Sequence, residues 1–421
     1  MIELTAERPV AGGRMLARHD GRVVLIAGAI PGERVRVAIE RATRGVSFAR
    51  VRDVIEPSAD RRDPPCDPAC GGAGYAHIRY ERQLELKAEI VADALRRIAR
   101  IPQPPSIVVQ PSPERAYRLR ARLHVRQRRA GFLLEGTHVL CDAGATGQLL
   151  PETMEAIDAT LAALDNRLAE CDALTIAENA AGSNRVVHIE PRDGARFDDL
   201  RARLPLPAGL SGLTTGRRDE LTTLAGAATV TDRAADLPGS SPPLDPLVSW
   251  TRRASSFFQG NRYLTGTLVR RVLEARRGDR FVDLYAGVGL FAVALAAAGA
   301  TGLAVEGDRS SAADLDANAS VWRARLRTMR ASVEDAVTMP LDPAPDLVVL
   351  DPPRTGVTPE ALRGVTAWAA PRVIYVSCDP PTLARDAARL AEHGYALTAL
   401  EAFDLFPNTP HVEVLATFDL P

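Results

Sequence analysis

Over residues 1–56 apolar and polar positions alternate between turn signals. The stretch GRVVLIAGAIPGERVRVAIERATRGVSFARVRDVI holds three strand-like runs broken by Pro31-Gly32 and Gly45, the period-two pattern of half-buried strands. A small β-barrel is expected over 1–57. Pro57 to Pro68 (PSADRRDPPCDP) is charged, rich in proline and without periodicity, so it reads as a linker. In YERQLELKAEIVADALRRIARI, Leu84, Ile90, Val91, Leu95 and Ile98 fall near helical spacing before Pro102, Pro104 and Pro105, which predicts an amphipathic helix of about six turns. Residues 115–129, RAYRLRARLHVRQRR, set Leu119, Ala121, Leu123 and Val125 against Arg118, Arg120, Arg122 and His124: a strand with one face of arginines. Residues 130–235 continue as mixed α and β, and Gly239 to Pro246 (GSSPPLDP) reads as another linker. From about residue 248 the pattern changes. FVDLYAG, TGLAVEGD, DLVVLDPP and RVIYVSC are short apolar runs separated by Ala-rich helical stretches, which predicts a parallel, doubly wound sheet. The expected units are a barrel over 1–57, a linker, helix and central α+β domain over 58–245, and an α/β domain over 246–421.

Composition narrows the function classes. The 421 residues are 46% hydrophobic and 25% charged, close to the globular average, which excludes wholesale disorder and fibrous architectures. The longest apolar stretch, Leu290 to Ala300, is far below the roughly 20 residues of a spanning helix, so no membrane partner is expected. The N-terminus carries acids where a secretory signal has a basic and then an apolar run, and a cytoplasmic location follows. Five cysteines in so long a chain are no disulfide framework; they read as thiols, ligands or a nucleophile. The net charge of -1 argues against nucleic acid only as an average. Residues 115–129 hold seven arginines and no acid, so Arg118, Arg120 and Arg122 read as a phosphate rail. The alternative is an exposed strand whose arginines pair with acids elsewhere.

Ligands of doubly wound sheets bind at the carboxyl ends of the strands, and each of the four predicted strands ends in a functional group. The first ends at Asp283 and runs into Gly287-x-Gly289, where glycine admits a ligand close to the backbone and a helix start offers free N–H groups. The second ends at Glu306, placed to accept ribose hydroxyls. Ala292 stands where a nicotinamide dinucleotide motif wants its third glycine, which favours S-adenosylmethionine and a Rossmann-like methyltransferase domain. Asp351-Pro352-Pro353 is followed by Arg354 and not by an aromatic residue, which disfavours amine methylation. The fourth strand ends in Ser377-Cys378-Asp379, and a cysteine in a cofactor crevice is a candidate nucleophile. Glu413, in FPNTPHVE, is a candidate base.

Taken in order, FFQGN (257–261), DLYAGVGLF (283–291), VEG (305–307), LDPPRTG (350–356), SCDPPTLARD (377–386) and FPNTPHVE (406–413) closely resemble the RNA uracil-5-methyltransferase family. The upstream elements YRLRARLHV and GFLLEGTH extend the likeness, and the N-terminal barrel is similar to a TRAM domain. The resemblance implies Cys378 as nucleophile, Glu413 as base, and Gln259, Tyr285, Glu306, Asp335 and Asp351 around S-adenosylmethionine and uracil. It implies RNA as partner, large-subunit ribosomal RNA ahead of transfer RNA; a catalytically silent RNA-binding paralogue and a cytosine-5-methyltransferase are the competing readings. A monomer is expected. Two positions depart from the family pattern. Many members hold an iron–sulfur cluster through C-x5-C-G-G-C and a later cysteine, whereas this chain has Cys66-x3-Cys70-Gly71-Gly72-Ala73, with Thr146 near the last position and Cys141 close by. Four ligands are needed, so the cluster is expected to be absent and no metal is assigned. Leu290 follows G-x-G where the family often has a polar residue.

Overall fold

The N-terminal alternation becomes a six-stranded sheet. In the computed structural model, which describes every residue except 202, 218–220 and 240–243, Ile2–Thr5, Arg8–Pro9, Met15–His19, Arg22–Ala27, Arg34–Ala42 and Val46–Glu56 pair in the order first, fifth, sixth, fourth, third, second. The three expected runs are the last three of these strands. Their inward residues Ile26, Val35, Val37 and Ala49 are fully buried.

The central body is a seven-stranded sheet in the order Leu140–Cys141, Arg129–Leu133, Arg120–Arg126, Cys171–Glu178, Arg185–Pro191, Gly212–Thr215, Thr222–Gly226. Helix Pro151–Leu164 shares its core, placing Ile157, Leu161 and Leu164 against Leu123, Ile176 and Val187. A two-stranded ribbon, Thr229–Arg233 with Ser249–Arg253, leads to the C-terminal body. Part of the second expected linker, residues 240–243, lies outside the described residues.

The C-terminal sheet has eight strands in the order Leu326–Arg330, Thr301–Glu306, Arg280–Leu284, Leu347–Leu350, Arg372–Ser377, Glu413–Asp419, Ala396–Phe403, Val109–Gln110. The first five run parallel, and Glu413–Asp419 lies antiparallel to both its neighbours. Phe281 and Val349 enter the core on one face, Val282 and Val348 the core on the other. That two-sided burial is why these strands read as continuous apolar runs.

Packing redraws the expected 58–245 unit. The helix runs Tyr80–Arg97, five turns where six were expected, and Arg100 with φ 58° turns the chain away. Val91, Ala94 and Leu95 join the core of the C-terminal sheet, and Val109–Gln110 adds to its edge through Ala402 and Phe403. Lys87, the only lysine in the chain, is wholly buried against Asp404. Helix and strand therefore belong with the C-terminal body, because their apolar faces and a buried ion pair are completed there. Among the described residues, no helix is long and apolar enough to cross a membrane.

Candidate active site

All four predicted strand ends lie along one edge of the sheet. Leu284 pairs with both Val305 and Leu350, so Asp283, Glu306 and Asp351 close three adjacent strands. Tyr285 follows with φ 60°, a left-handed backbone that costs a non-glycine residue about 1–3 kcal/mol and is held only by strong surroundings. Gly287 and Gly289 continue the turn at φ 57° and 90°. A Cβ on Gly289 would come within 2.7 Å of Leu315 Cδ1, so only glycine fits. Trp250 Nε1 donates to the Gly289 carbonyl at 3.2 Å, and Asn318 Nδ2 to that of Val288 at 2.9 Å; these bonds fix the loop from behind. Helix Leu290–Ala297 starts directly after it.

Glu306 Oε2 accepts from the Gly287 N–H at 2.8 Å and Oε1 from that of Asp308 at 2.7 Å. Gln259 Nε2 donates to Asp351 Oδ2 at 3.2 Å. Gln259, Tyr285, Gly287, Leu290 and Asp351 line one small cleft, with Phe257 at its mouth. Asp283, named at its strand end but given no role of its own, is wholly buried: Oδ2 accepts from the Ala292 N–H at 3.0 Å, and Oδ1 has no partner. Burial is the first cause that raises the proton affinity of this group. It pushes Asp283 well above the usual carboxylate range, aided by Asp351, and lifts Glu306; Asp351 is pushed up to about 7. Asp335 lies apart. It is exposed, and its backbone N–H and Oδ2 both bond the Ser332 hydroxyl at the start of helix Val333–Ala336. Its neighbour Glu334 is the one that faces Tyr285.

Cys378 leaves the strand Arg372–Ser377, whose Ser377 pairs with Val414. The antiparallel register therefore sets Cys378 opposite Glu413. The half-buried thiol is pushed up to about 11 by burial first and then by the Glu413 carboxylate, while the Arg354 guanidinium pulls it down. Glu413, only 4% exposed, is raised well above the usual carboxylate range by burial and by Asp351, again opposed by Arg354. The segment leading to Glu413 is clamped from outside. Gln83 Nε2 donates to Asn408 Oδ1 at 2.9 Å, Asn261 Nδ2 to the Leu405 carbonyl at 3.0 Å and Arg62 to Asn408 Oδ1 at 2.7 Å. Arg354 and His411, 3.5 Å apart, are the further polar groups here that sequence reading left without a role. The signal for Arg354 was its place after Asp351-Pro352-Pro353.

The arginine strand alternates as expected, with Ala121, Leu123 and Val125 inward, but it is no free row of guanidiniums. Arg118 donates to Gln148 Oε1 at 2.6 Å and to the Arg120 carbonyl at 2.8 Å, beside the rings of Phe132 and Phe406. Arg120 donates to the carbonyls of Ala254 and Ser255. Arg122 pairs with Glu190 at 2.8 Å and Asp172 at 3.0 Å. The neighbouring strands supply the acids that the local sequence lacks. The reading of the cysteines also needs correction: Cys70 and Cys141 form a disulfide. Bridging of Cys70 to Leu134 and pairing of Leu140–Cys141 with Arg129–Leu133 carry the two residues, 71 apart in sequence, onto one hairpin. Thr146 is buried, its hydroxyl donating to the Ala143 carbonyl at 2.6 Å. Among the described residues, no group of three or more His, Cys, Asp or Glu side chains is placed to hold a metal ion.

A Rossmann-like sheet whose strand ends gather acids around a glycine turn, with a thiol and a buried carboxyl beside them, defines an S-adenosylmethionine-dependent methyltransferase. The donor set fits a cationic cofactor: Asp351, without an ion-pair partner, lines the cleft, and behind it Asp283 buries an orphaned carboxylate oxygen. Residues 342–417 match the family model described as tRNA (Uracil-5-)-methyltransferase, and residues 2–51 match the TRAM domain. The chain is 32% identical to the 23S rRNA (uracil(1939)-C(5))-methyltransferase RlmD of Halomonas elongata, covering 100% of this chain and 89% of that protein. It is 30% identical to RlmD of Pseudomonas putida, over 99% and 93%. In fold it is similar to the Pyrococcus abyssi tRNA (uracil-54, C5)-methyltransferase solved with S-adenosyl-L-homocysteine, at TM-score 0.74 and 22% identity over 99% of each chain. The chain belongs to the RNA uracil-5-methyltransferase family.

Proposed function

We propose that this chain methylates carbon 5 of one uridine in large-subunit ribosomal RNA through a covalent bond between Cys378 and carbon 6. The observation that carries the reading is the placement of Cys378 opposite Glu413, beside the cleft lined by Gln259 and Asp351. When bound, S-adenosylmethionine supplies an electrophilic methyl on its sulfonium. Gly287 and Gly289 let the backbone approach it, Glu306 takes the ribose, and Gln259, Tyr285 and Asp351 border the rest. Asp335 is not retained in this set, since its side chain serves the local helix start. Carbon 5 of uracil is a poor nucleophile. Addition of the Cys378 thiolate to carbon 6 makes it an enolate carbon able to take the methyl. Glu413 then removes the carbon 5 proton, the pair left on carbon 5 re-forms the ring double bond, and the Cys378 sulfur leaves with the pair of its bond to carbon 6. Arg354, the cation that favours ionisation of both groups, steadies the thiolate.

The target base must be unstacked to reach both groups. We assign RNA grip to the cleft of about 1180 Å³ bordered by Arg120, Arg217 and Arg309, with Arg122 near its rim and Arg118 in a supporting role behind it. Ribosomal RNA is favoured over transfer RNA by the names of the curated relatives and by the TRAM domain. We take the enzyme to act on RNA as a monomer in the cytoplasm. Labelled cofactor incubated with deproteinised large-subunit RNA, small-subunit RNA and transfer RNA, followed by nucleoside analysis, tests the reading. Label in 5-methyluridine from the large-subunit RNA alone is expected; label in 5-methylcytidine, or none, would refute it.

A further inference from the structure

The three carboxyl groups at the strand ends have no counter-ion. Asp283, Asp351 and Glu306 close adjacent parallel strands, and the Asp351 N–H reaches the Leu284 carbonyl at 3.4 Å, which keeps the two strand ends in step. The negative charges of Asp351 and Glu306 act on Asp283, that of Glu306 on Asp351, that of Asp351 on Glu413 and Cys378, and that of Asp308 on Glu306. Tyr285 stands over the turn with its phenol toward Glu334 and Asp386. The Arg354 cation acts on Cys378 and Glu413. Among the described residues, no Lys, Arg or His side chain forms an ion pair with Asp283, Asp351 or Glu306; their partners are backbone N–H groups and the Gln259 amide. One carboxyl oxygen, Asp283 Oδ1, is buried with nothing to bond.

Buried like charges without a cation are costly, and such a group lowers the cost by keeping a proton. A cationic ligand removes the reason for holding it. S-adenosylmethionine and its product S-adenosylhomocysteine share adenosine, ammonium and carboxylate, and differ by one methyl and one positive charge on sulfur. We propose that the Asp283–Asp351–Glu306 cluster distinguishes substrate from product by that charge, holding a proton when the site is empty or product-bound and releasing it to solvent when S-adenosylmethionine binds. The inference rests on this cleft being the cofactor site. In the release step the carboxyl O–H bond breaks, the electron pair stays on oxygen and the proton goes to water. Once the methyl has left and the sulfur is neutral, the cluster takes a proton back from solvent. The ionic attraction that held the substrate is absent for the product, which favours exchange.

The upward displacement of Asp351 to about 7 sets the window. Below about pH 7 the substrate must displace a proton that the product leaves in place, so its advantage shrinks by up to about tenfold per pH unit as pH falls. Above that range the cluster has already lost the proton and the advantage is constant. The test is isothermal titration calorimetry of the full chain with each ligand, in two buffers of different ionisation enthalpy, at about pH 6 and about pH 8.5. About one more proton is expected to leave with S-adenosylmethionine than with S-adenosylhomocysteine at the lower pH, and no difference at the higher. Asp283→Asn should reduce the difference; if that variant does not fold, the wild-type proton counts decide by themselves. Equal counts with both ligands bound overturn the charge reading alone. Failure of both ligands to bind overturns the cofactor site together with it.

Discussion

Cys378 stands across from Glu413 in neighbouring antiparallel strands, a relation set by the pairing of Ser377 with Val414. The strand that carries Glu413 lies antiparallel to the five-stranded parallel run, so its first residue and not its last stands at the carboxyl edge of the sheet. One register thus places a nucleophile and a carboxyl group at the same edge, and a shift of one residue would turn the two side chains to opposite faces.

The first prediction separates their tasks. Cys378→Ala should retain cofactor binding and lose methyl transfer by on the order of a thousandfold or more, the scale of removing a nucleophile. Glu413→Gln should permit addition and methylation and then stall, so that an enzyme–RNA adduct accumulates on a denaturing gel. Blocked turnover without an adduct would assign the base to another residue.

A second prediction follows from the charges around the thiol. With the Cys378 thiol pushed up to about 11, its alkylation by iodoacetamide should rise about tenfold per pH unit from neutral towards that value. Arg354→Met should move the midpoint upward, since the cation favouring the thiolate is gone. Glu413→Gln should move it downward, because a competing negative charge is removed. Midpoints unmoved in both variants would show that burial alone governs the thiol. Cys66 and the buried Cys171 must be replaced by serine and alanine, respectively, so that the signal belongs to Cys378.

The arginine strand should split by residue. Arg118→Ala removes bonds to Gln148 and to the Arg120 carbonyl and should cost about 1–3 kcal/mol of stability in a denaturant melt. Arg122→Ala breaks partly exposed ion pairs and should cost less than about 1 kcal/mol. If Arg120 touches RNA, Arg120→Ala should weaken binding and lower the slope of log affinity against log salt by about one. An unchanged slope in a folded Arg120 variant would place the phosphate contact elsewhere.

The fourth prediction concerns the hairpin of Cys70 and Cys141. Their disulfide closes a loop across 71 positions, and replacing both by serine should lower stability by about 2–4 kcal/mol. Iron analysis after anaerobic purification should find no stoichiometric iron, since Ala73 and Thr146 supply no thiolate. About four irons per chain would reverse this.

Much of the site was legible because it lies where local pattern changes type. Asp283, Glu306, Asp351 and Cys378 each lie at or beside the end of a strand of four to six residues, and period and chemistry meet there. What escaped depends on partners distant in sequence. Arg122 meets acids 50 and 68 positions away, Lys87 meets Asp404 across 317, and nothing in their own neighbourhoods records this. Asp335 came from the family resemblance alone, and its exposure is decided by how a four-residue helix begins. Asp283 was placed at its strand end, but its lack of a partner is something a sequence cannot display.

The helix Tyr80–Arg97 and the strand Val109–Gln110 complete the C-terminal sheet from a point far upstream, so the methyltransferase body is interrupted by the central sheet and not merely preceded by it. A fragment cut at the apparent boundary near residue 246 would leave Asp404 buried without its ammonium, strip the Gln83 clamp from the segment before Glu413, and bare the edge of Ala396–Phe403 to any passing strand. Covalent continuity and mechanical unity divide this chain differently: a graft or minimal enzyme built from it must begin before Tyr80 and carry the central sheet as an excursion.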